Sequence, residues 1–254
     1  NNGTTTSIYD PVANTMTAGP ATTDRVRTGG FVLQRPDGKF LIIHGNGNTL
    51  TSIYDGSANT MSVGPATTAG VNNGGFGIQR PDGRFLIVHG GGATSTSLYN
   101  PVANTMSAGP TLTNGTGDGA HAIQRANGTF LIFAGGASVN TIIYDPVANT
   151  MTSGPTLSTA VGIGGHSLQR PDGQYLLVNG DGPNTTLYDA GWFRSGIYVS
   201  EKLNPADLNF WNTFSWVRDL DDTVTTKIKT ATSSAGLDAT AWRTVANGGN
   251  INPA

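Results

Sequence analysis

The sequence predicts an all-β protein assembled from four 45-residue repeats, each supplying four short strands. Three observations lead there. Tyr9, Tyr54, Tyr99 and Tyr144 stand 45 residues apart, and Met16, Met61, Met106 and Met151, which are all four methionines of the chain, keep the same interval. A second phrase runs in step: Gln34-Arg35-Pro36-Asp37-Gly38 returns at Gln79 and Gln169, with Gln124-Arg125-Ala126-Asn127-Gly128 as a variant copy. No stretch carries a sustained helical period. A period of about 40 to 50 residues marks the blades of a propeller or a similar stacked array.

Within the first repeat the apolar pattern predicts strands over Thr6 to Tyr9, Thr15 to Ala18, Gly30 to Gln34 and Lys39 to His44. Asp10-Pro11 and Gly19-Pro20 end the first two, because proline donates no ladder hydrogen bond and favours turns. Pro36-Asp37-Gly38 reads as a tight hairpin with glycine placed for positive φ. The fourth strand, Phe40-Leu41-Ile42-Ile43 or Phe85-Leu86-Ile87-Val88, is apolar on both faces and is expected to be fully buried. Asp10, Asp55, Asn100 and Asp145 read as side-chain caps of the turn after the first strand.

The unit resembles the kelch repeat, in the version seen in galactose-oxidase-like secreted propellers. Tyr9-Asp10-Pro11, Met16, Asp37-Gly38 and the pairs Gly90-Gly91 and Gly135-Gly136 occupy the places of that pattern over about residues 5 to 190. Methionine stands where tryptophan is usual, and the di-glycine becomes His44-Gly45-Asn46 in the first copy and Asn179-Gly180-Asp181 in the fourth. The resemblance implies a kelch-like β-propeller over residues 1–190. After four cycles the first strand begins again at Thr186-Leu187-Tyr188-Asp189. A ring could join terminal strands in one blade, further blades could lie upstream in a longer polypeptide, or neighbouring copies could supply edge strands. The start at Asn1, without methionine, fits a processed or truncated product.

Beyond residue 190 the composition changes. Trp192, Trp211, Trp216 and Trp242 all fall there, and alternation over Asn212-Thr213-Phe214-Ser215-Trp216-Val217 and over Thr223-Val224-Thr225-Thr226-Lys227-Ile228-Lys229 predicts half-buried strands. Residues 191–254 resemble the opening half of a jelly-roll-like β-sandwich module of bacterial secreted or phage fibre proteins. That module is expected to be truncated here or completed by another chain.

Charged residues make up 12% of 254, about half the usual share, and the formal net charge is -2. Neither nucleic acid nor membrane insertion is expected, since basic clusters and long apolar runs are lacking. The uncharged Thr, Asn, Ser and Gly surface leans towards an extracellular setting. The absence of cysteine removes disulfides and thiolate ligands.

Candidate sites are few. His44 and His89 share one repeat position, and His121 and His166 share another that holds Phe31 and Phe76 in the first two copies. They read either as a metal cluster facing a central channel or as packing residues. Arg35, Arg80, Arg125 and Arg170 recur once per repeat and read as structural arginines tied to turn carbonyls rather than as a sialidase-type triad. The copper radical chemistry of galactose oxidase needs a cysteine cross-linked to tyrosine, so the resemblance does not carry it over. The Gly-rich segments Asn114 to Gly119 and Gly180 to Gly182 read as turns rather than calcium loops, and Asp219, Asp221 and Asp222 as a solvated turn. Asn2, Asn114, Asn127 and Asn184 fit the N-glycosylation acceptor pattern.

No catalytic set, cofactor or metal is expected. The expected function is a non-enzymatic extracellular structural or adhesive module of a surface appendage, filament or virion, polymerising through strand complementation with copies of itself or with other surface or virion proteins. The rival expectation is a carbohydrate-binding or glycan-active propeller. Its site would lie on the long loops, Ala21 to Thr28 and equivalents, or on tryptophans free to stack on sugar rings.

Overall fold

The computed structural model describes residues 3–171 and 173–189, and beyond them four short strands. Contacts divide the chain into Asn1–Trp192 and Phe193–Ala254. Both units are all-β among the described residues, and no helix there is long and apolar enough to cross a membrane.

The first unit opens with a two-stranded sheet, β1 (Thr6–Asp10) and β2 (Thr15–Gly19). Three four-stranded antiparallel meanders follow. The first contains β3 (Phe31–Gln34), β4 (Phe40–Ile43), β5 (Thr51–Asp55) and β6 (Thr60–Val63). The second contains β7 (Phe76–Gln79), β8 (Phe85–Val88), β9 (Thr96–Asn100) and β10 (Thr105–Ala108). The third contains β11 (His121–Gln124), β12 (Phe130–Phe133), β13 (Thr141–Asp145) and β14 (Thr150–Ser153). A three-stranded sheet ends the unit: β15 (His166–Gln169), β16 (Tyr175–Val178) and β17 (Thr185–Tyr188). No sheet is closed.

Each four-stranded sheet is offset from the sequence repeat by two strands. It takes the last two strands of one repeat and the first two of the next, because residues 44–50 make a short enough link for β4 and β5 to pair. The longer link over residues 20–30 instead carries the chain from β2 to the next sheet. The Asp-Gly hairpins form with Gly38 and Gly83 at φ near 79° and 78°, where only glycine is free of strain. Strands β8 and β12 are buried at every residue, as expected of runs apolar on both faces, whereas in β4 Phe40 and Ile42 are only half-buried.

The core lies between sheets. Leu33, Leu41, Ile43 and Ile53 of the first meander pack on Phe85, Ile87 and Tyr99 of the second. Ile78, Leu86 and Val88 of the second pack on Phe130, Ile132, Ile142 and Tyr144 of the third. Ile123, Leu131 and Phe133 of the third meet Tyr175 and Leu177 of the last sheet. In the last sheet of this unit Leu168 and Leu187 are 47% and 56% exposed. The corresponding Ile123 of the third meander is 4% exposed.

In the second unit, β18 (Thr213–Phe214) pairs with β21 (Gly249–Asn250), and β19 (Thr226–Ile228) pairs with β20 (Arg243–Val245). The four tryptophans and Asp219, Asp221 and Asp222 lie outside the described residues, as do Asn2 and the remainder of the expected sandwich.

The stacking sets a steric rule at one position. A Cβ on Gly77 would collide with the Leu33 side chain of the neighbouring sheet, whereas Val32, at the same repeat position in the first meander, is 54% exposed. Gly77→Val should therefore cost about 1–3 kcal/mol of stability through overpacking, while Val32→Ala should fall within about 0.5 kcal/mol of the parent. Urea unfolding of the two variants measures the contrast.

Candidate functional site

The most developed polar constellation is a latch that recurs between sheets. It begins in the turn joining β9 to β10. Asn100 Oδ1 accepts from the backbone N–H of Val102 (3.0 Å) and Ala103 (3.2 Å), and Asp145 does the same for Val147 and Ala148 in the turn after β13. The turn ends on Asn104 at φ 53°, a left-handed conformation that asparagine tolerates better than other residues with a side chain. That conformation brings Asn104 Oδ1 to the Tyr99 hydroxyl, which donates to it at 3.0 Å. Tyr99 and Met106 are direct cross-strand partners, so the recurring Tyr and Met define one rung of the ladder.

Into this socket reaches an arginine from the preceding sheet. Arg35 donates from Nη1 to Asn104 Oδ1 (3.2 Å) and from Nη2 to the Pro101 carbonyl (2.8 Å), with its guanidinium 5.8 Å from the Tyr99 ring centre. Asp37 grips the other edge through Nε (3.1 Å) and Nη2 (2.9 Å). Arg80 repeats the contact on the third meander, donating to the Tyr144 hydroxyl (2.8 Å), Asn149 Oδ1 (2.7 Å) and the Pro146 carbonyl (2.7 Å), with Asp82 beside it at 3.1 Å. Both arginines are 8% exposed, and Tyr99 and Tyr144 are fully buried. Burial pushes both tyrosine hydroxyls above their ordinary pKa.

The other copies depart from this arrangement. Arg125 has Asn127 in place of the aspartate, donates from Nη1 to Thr129 Oγ1 (3.3 Å), and leaves its buried Nε without a partner. Arg170 donates to Gln174 Oε1 at 3.0 Å. At the other end, Tyr9 donates to Asn14 Oδ1 at 3.0 Å and Tyr54 to Asn59 Oδ1 at 3.3 Å, forming sockets without an arginine; Tyr9 is 52% exposed and Met16 69%. Met61, Met106 and Met151 are half-buried. Asp55 belongs to the same turn, and its Ser57 hydrogen bond and Lys39 ion pair hold its carboxyl far below the usual range.

The histidines pair with hydroxyls. His44 Nε2 lies 2.8 Å from Ser52 Oγ, which meets Thr23 Oγ1 at 2.7 Å; His89 lies 2.8 Å from both Ser95 Oγ and Ser97 Oγ. His121 and His166 bind the carbonyls of Gly119 and Gly164 through Nδ1. Burial holds His44, His89 and His121 below the ordinary imidazole pKa. Among the described residues no three His, Asp or Glu side chains gather as a metal site. Ser52 and Ser97 are completely buried, so their contacts with histidine cannot present a nucleophile to a substrate.

Among the described residues, the clefts open to solvent include two that bear on ligand binding. One of about 480 Å³ lies between β7 and β11, lined by Phe76, Gln79, Arg80, Ala122 and Gln124. The other, of about 290 Å³, is lined by Asp24, Arg25 and Arg27 of the long loop and by residues 45–48. Asp24 is fixed there by the Arg25 N–H (2.7 Å) and Asn48 Nδ2 (2.9 Å), and the Arg25 bond leads in lowering its pKa. The other repeats place Gly70, Gly115 and Ala160 where this one has Arg25.

Of the acceptor asparagines, Asn127 and Asn184 are exposed, whereas Asn114 is half-buried and precedes the fully buried Thr116. Sequence reasoning singled out the arginines but passed over Asn14, Asn59, Asn104 and Asn149. Their signal was available, since each lies five residues after the repeat tyrosine. No protein-family model matches the chain. No curated protein matches it in sequence.

Replacing Arg80 by Met should cost about 1–3 kcal/mol by leaving the Pro146 carbonyl unbonded and Asn149 Oδ1 with the Tyr144 hydroxyl alone, and Arg80→Lys should recover little because lysine lacks the planar fork. Arg125→Met should cost clearly less; chemical denaturation of the three variants ranks them. The buried histidines bind protons more weakly folded than unfolded, so their contribution is complete above about pH 6.5 and falls as pH drops below it. Substituting the fourth repeat's Asn-Thr pair, as His89→Asn with Ser97→Thr, should flatten the fall in melting temperature between about pH 7.5 and about pH 5.

Proposed function

We propose that the chain is a non-enzymatic structural module of an extracellular assembly, such as a surface appendage, filament or virion, in which the repeats act as kelch-like propeller blades and copies associate with one another. The observation that carries this reading is the use of the recurring polar residues. Arg35, Arg80, Tyr99, Tyr144, Asn104 and Asn149 join sheet to sheet, and His44 and His89 join loop to strand. Functional polarity is thus invested in cohesion rather than gathered in a cleft. The exposed Leu168 and Leu187 at the last sheet add an apolar face of the kind that association covers. By their sequence resemblance, residues 191–254 are read as a β-sandwich module of the same assembly.

A second reading, carbohydrate binding, is favoured by one feature. Arg25 and Arg27 line the smaller cleft, in a chain with only 14 Lys and Arg, and suit the carboxylate of an acidic sugar.

Sedimentation velocity across a wide concentration range tests the first reading: species larger than the 254-residue chain should grow with concentration. A monodisperse monomer throughout would overturn it. Titration with acidic oligosaccharides tests the second, with saturable binding lost in Arg25→Ala/Arg27→Ala as its expected result and no binding as its refutation.

A further inference from the structure

We infer that the β1–β2 hairpin of one copy completes the last sheet of a second copy, pairing with β16 in place of β17 and receiving Arg125 in its Tyr9-Asn14 socket. The inference rests on the reading of the chain as a self-associating structural module and names the interface.

Strands β1 and β17 are the same element twice. Tyr175 opposes Tyr188 in the last sheet as Phe130 opposes Tyr144 in the third, so Thr185-Thr186-Leu187-Tyr188-Asp189 is the counterpart of Thr6-Ser7-Ile8-Tyr9-Asp10. Only one of them can pair with β16. Their sequences diverge just downstream. Five residues after Tyr9 comes Asn14, already hydrogen-bonded to the tyrosine hydroxyl; five residues after Tyr188 comes Phe193, which has no side-chain acceptor. The sequence after β17 therefore lacks the asparagine that Arg35 and Arg80, at the same position as Arg125, each meet on a later sheet. Arg125, which bonds Thr129 of its own hairpin instead of a later sheet, and the exposed Tyr9 with its Asn14 are the two halves of a latch that the inner sheets show assembled.

The remaining contacts match. Asn179 is completely buried and bonds Thr186 at 3.3 Å; with β1 in place the opposite residue is Ser7, the counterpart of the Ser52 and Ser97 that bond His44 and His89. Among the described residues β1 pairs only with β2, and with β1 on β16 the hairpin would make β2 the fourth strand of a complete meander. Within one copy that edge of β16 is occupied by β17, which the hairpin of the second copy would displace.

The chain has no cysteine, which makes disulfide mapping clean. The proposed register places Thr6 opposite Val178, where Thr185 now lies. Mixing Thr6→Cys and Val178→Cys single variants of the full chain under mild oxidation should yield a linked heterodimer, and adding Arg125→Met to the Val178 variant should lower its yield about tenfold. A Val178→Cys/Thr185→Cys variant, with β17 locked onto β16, should lose self-association. Failure of the heterodimer to form overturns the interface, as does a Thr6→Cys/Val178→Cys double variant that links only within monomers. If the locked variant associates as the parent does, the interface is wrong while the structural reading stands. If the parent never associates, both fall.

Discussion

A sheet of four strands, each four or five residues long, has two apolar faces and nothing of its own to cover them. That constraint governs the rest of the molecule. Each meander is a fragment until the next one lies against it, and the three core clusters are accordingly drawn from adjacent sheets rather than from within one. Fully burying an aliphatic or aromatic side chain contributes about 1.5–3 kcal/mol, so the several large side chains shared by each pair of sheets outweigh any single polar contact between them. Packing supplies most of the cohesion.

The arginine latch supplies something packing lacks, which is register. Apolar faces of this kind tolerate sliding, since hydrophobic contact is non-directional. A guanidinium that must meet an asparagine oxygen, a proline carbonyl and a tyrosine hydroxyl at once fixes one sheet on the next to within a few tenths of an ångström. Glycine plays the complementary part: a Cβ at Gly74 or Gly119 would collide with the carbonyl of Gly117 or Gly162, so the connecting loops approach as closely as the latch requires. The two ends of the succession show the same devices without their counterparts, in Tyr9 on one side and in Leu168 and Leu187 on the other.

Much of this was legible in the sequence, and the reasons are local. Asp10-Pro11 and Pro36-Asp37-Gly38 are turn chemistry that acts over a few residues, and the strands they bound fall within a residue or two of expectation. The grouping of strands into sheets was not legible, because the repeated phrase begins at the tyrosine strand whereas the hydrogen-bonded unit begins two strands earlier, at Phe31. Periodicity is indifferent to where a period starts. Arg35 was visible as a structural residue tied to turn carbonyls, but its partner lies 69 residues away on another sheet, a distance no local pattern reports. Asn104 was hidden for the opposite reason, being inside the repeated phrase yet looking like ordinary turn composition.

The four repeats also serve as one another's mutants, and they show how a buried polar pair is kept or dismissed. Just after the second strand of each sheet stand His44, His89, Ala134 and Asn179; diagonally across, on the third strand, stand Ser52, Ser97, Ile142 and Thr186. His faces Ser twice, and Asn faces Thr once, each with a hydrogen bond. Where the histidine gives way to alanine, the serine gives way to isoleucine, and both replacements are buried. A half-changed pair would leave one polar group desolvated and unbonded, at about 1–3 kcal/mol, while a fully changed pair is close to neutral. The histidines are therefore interchangeable parts of the packing. An arginine stands at the latch position in all four copies, and Arg35 and Arg80 use it to set one sheet in register on the next.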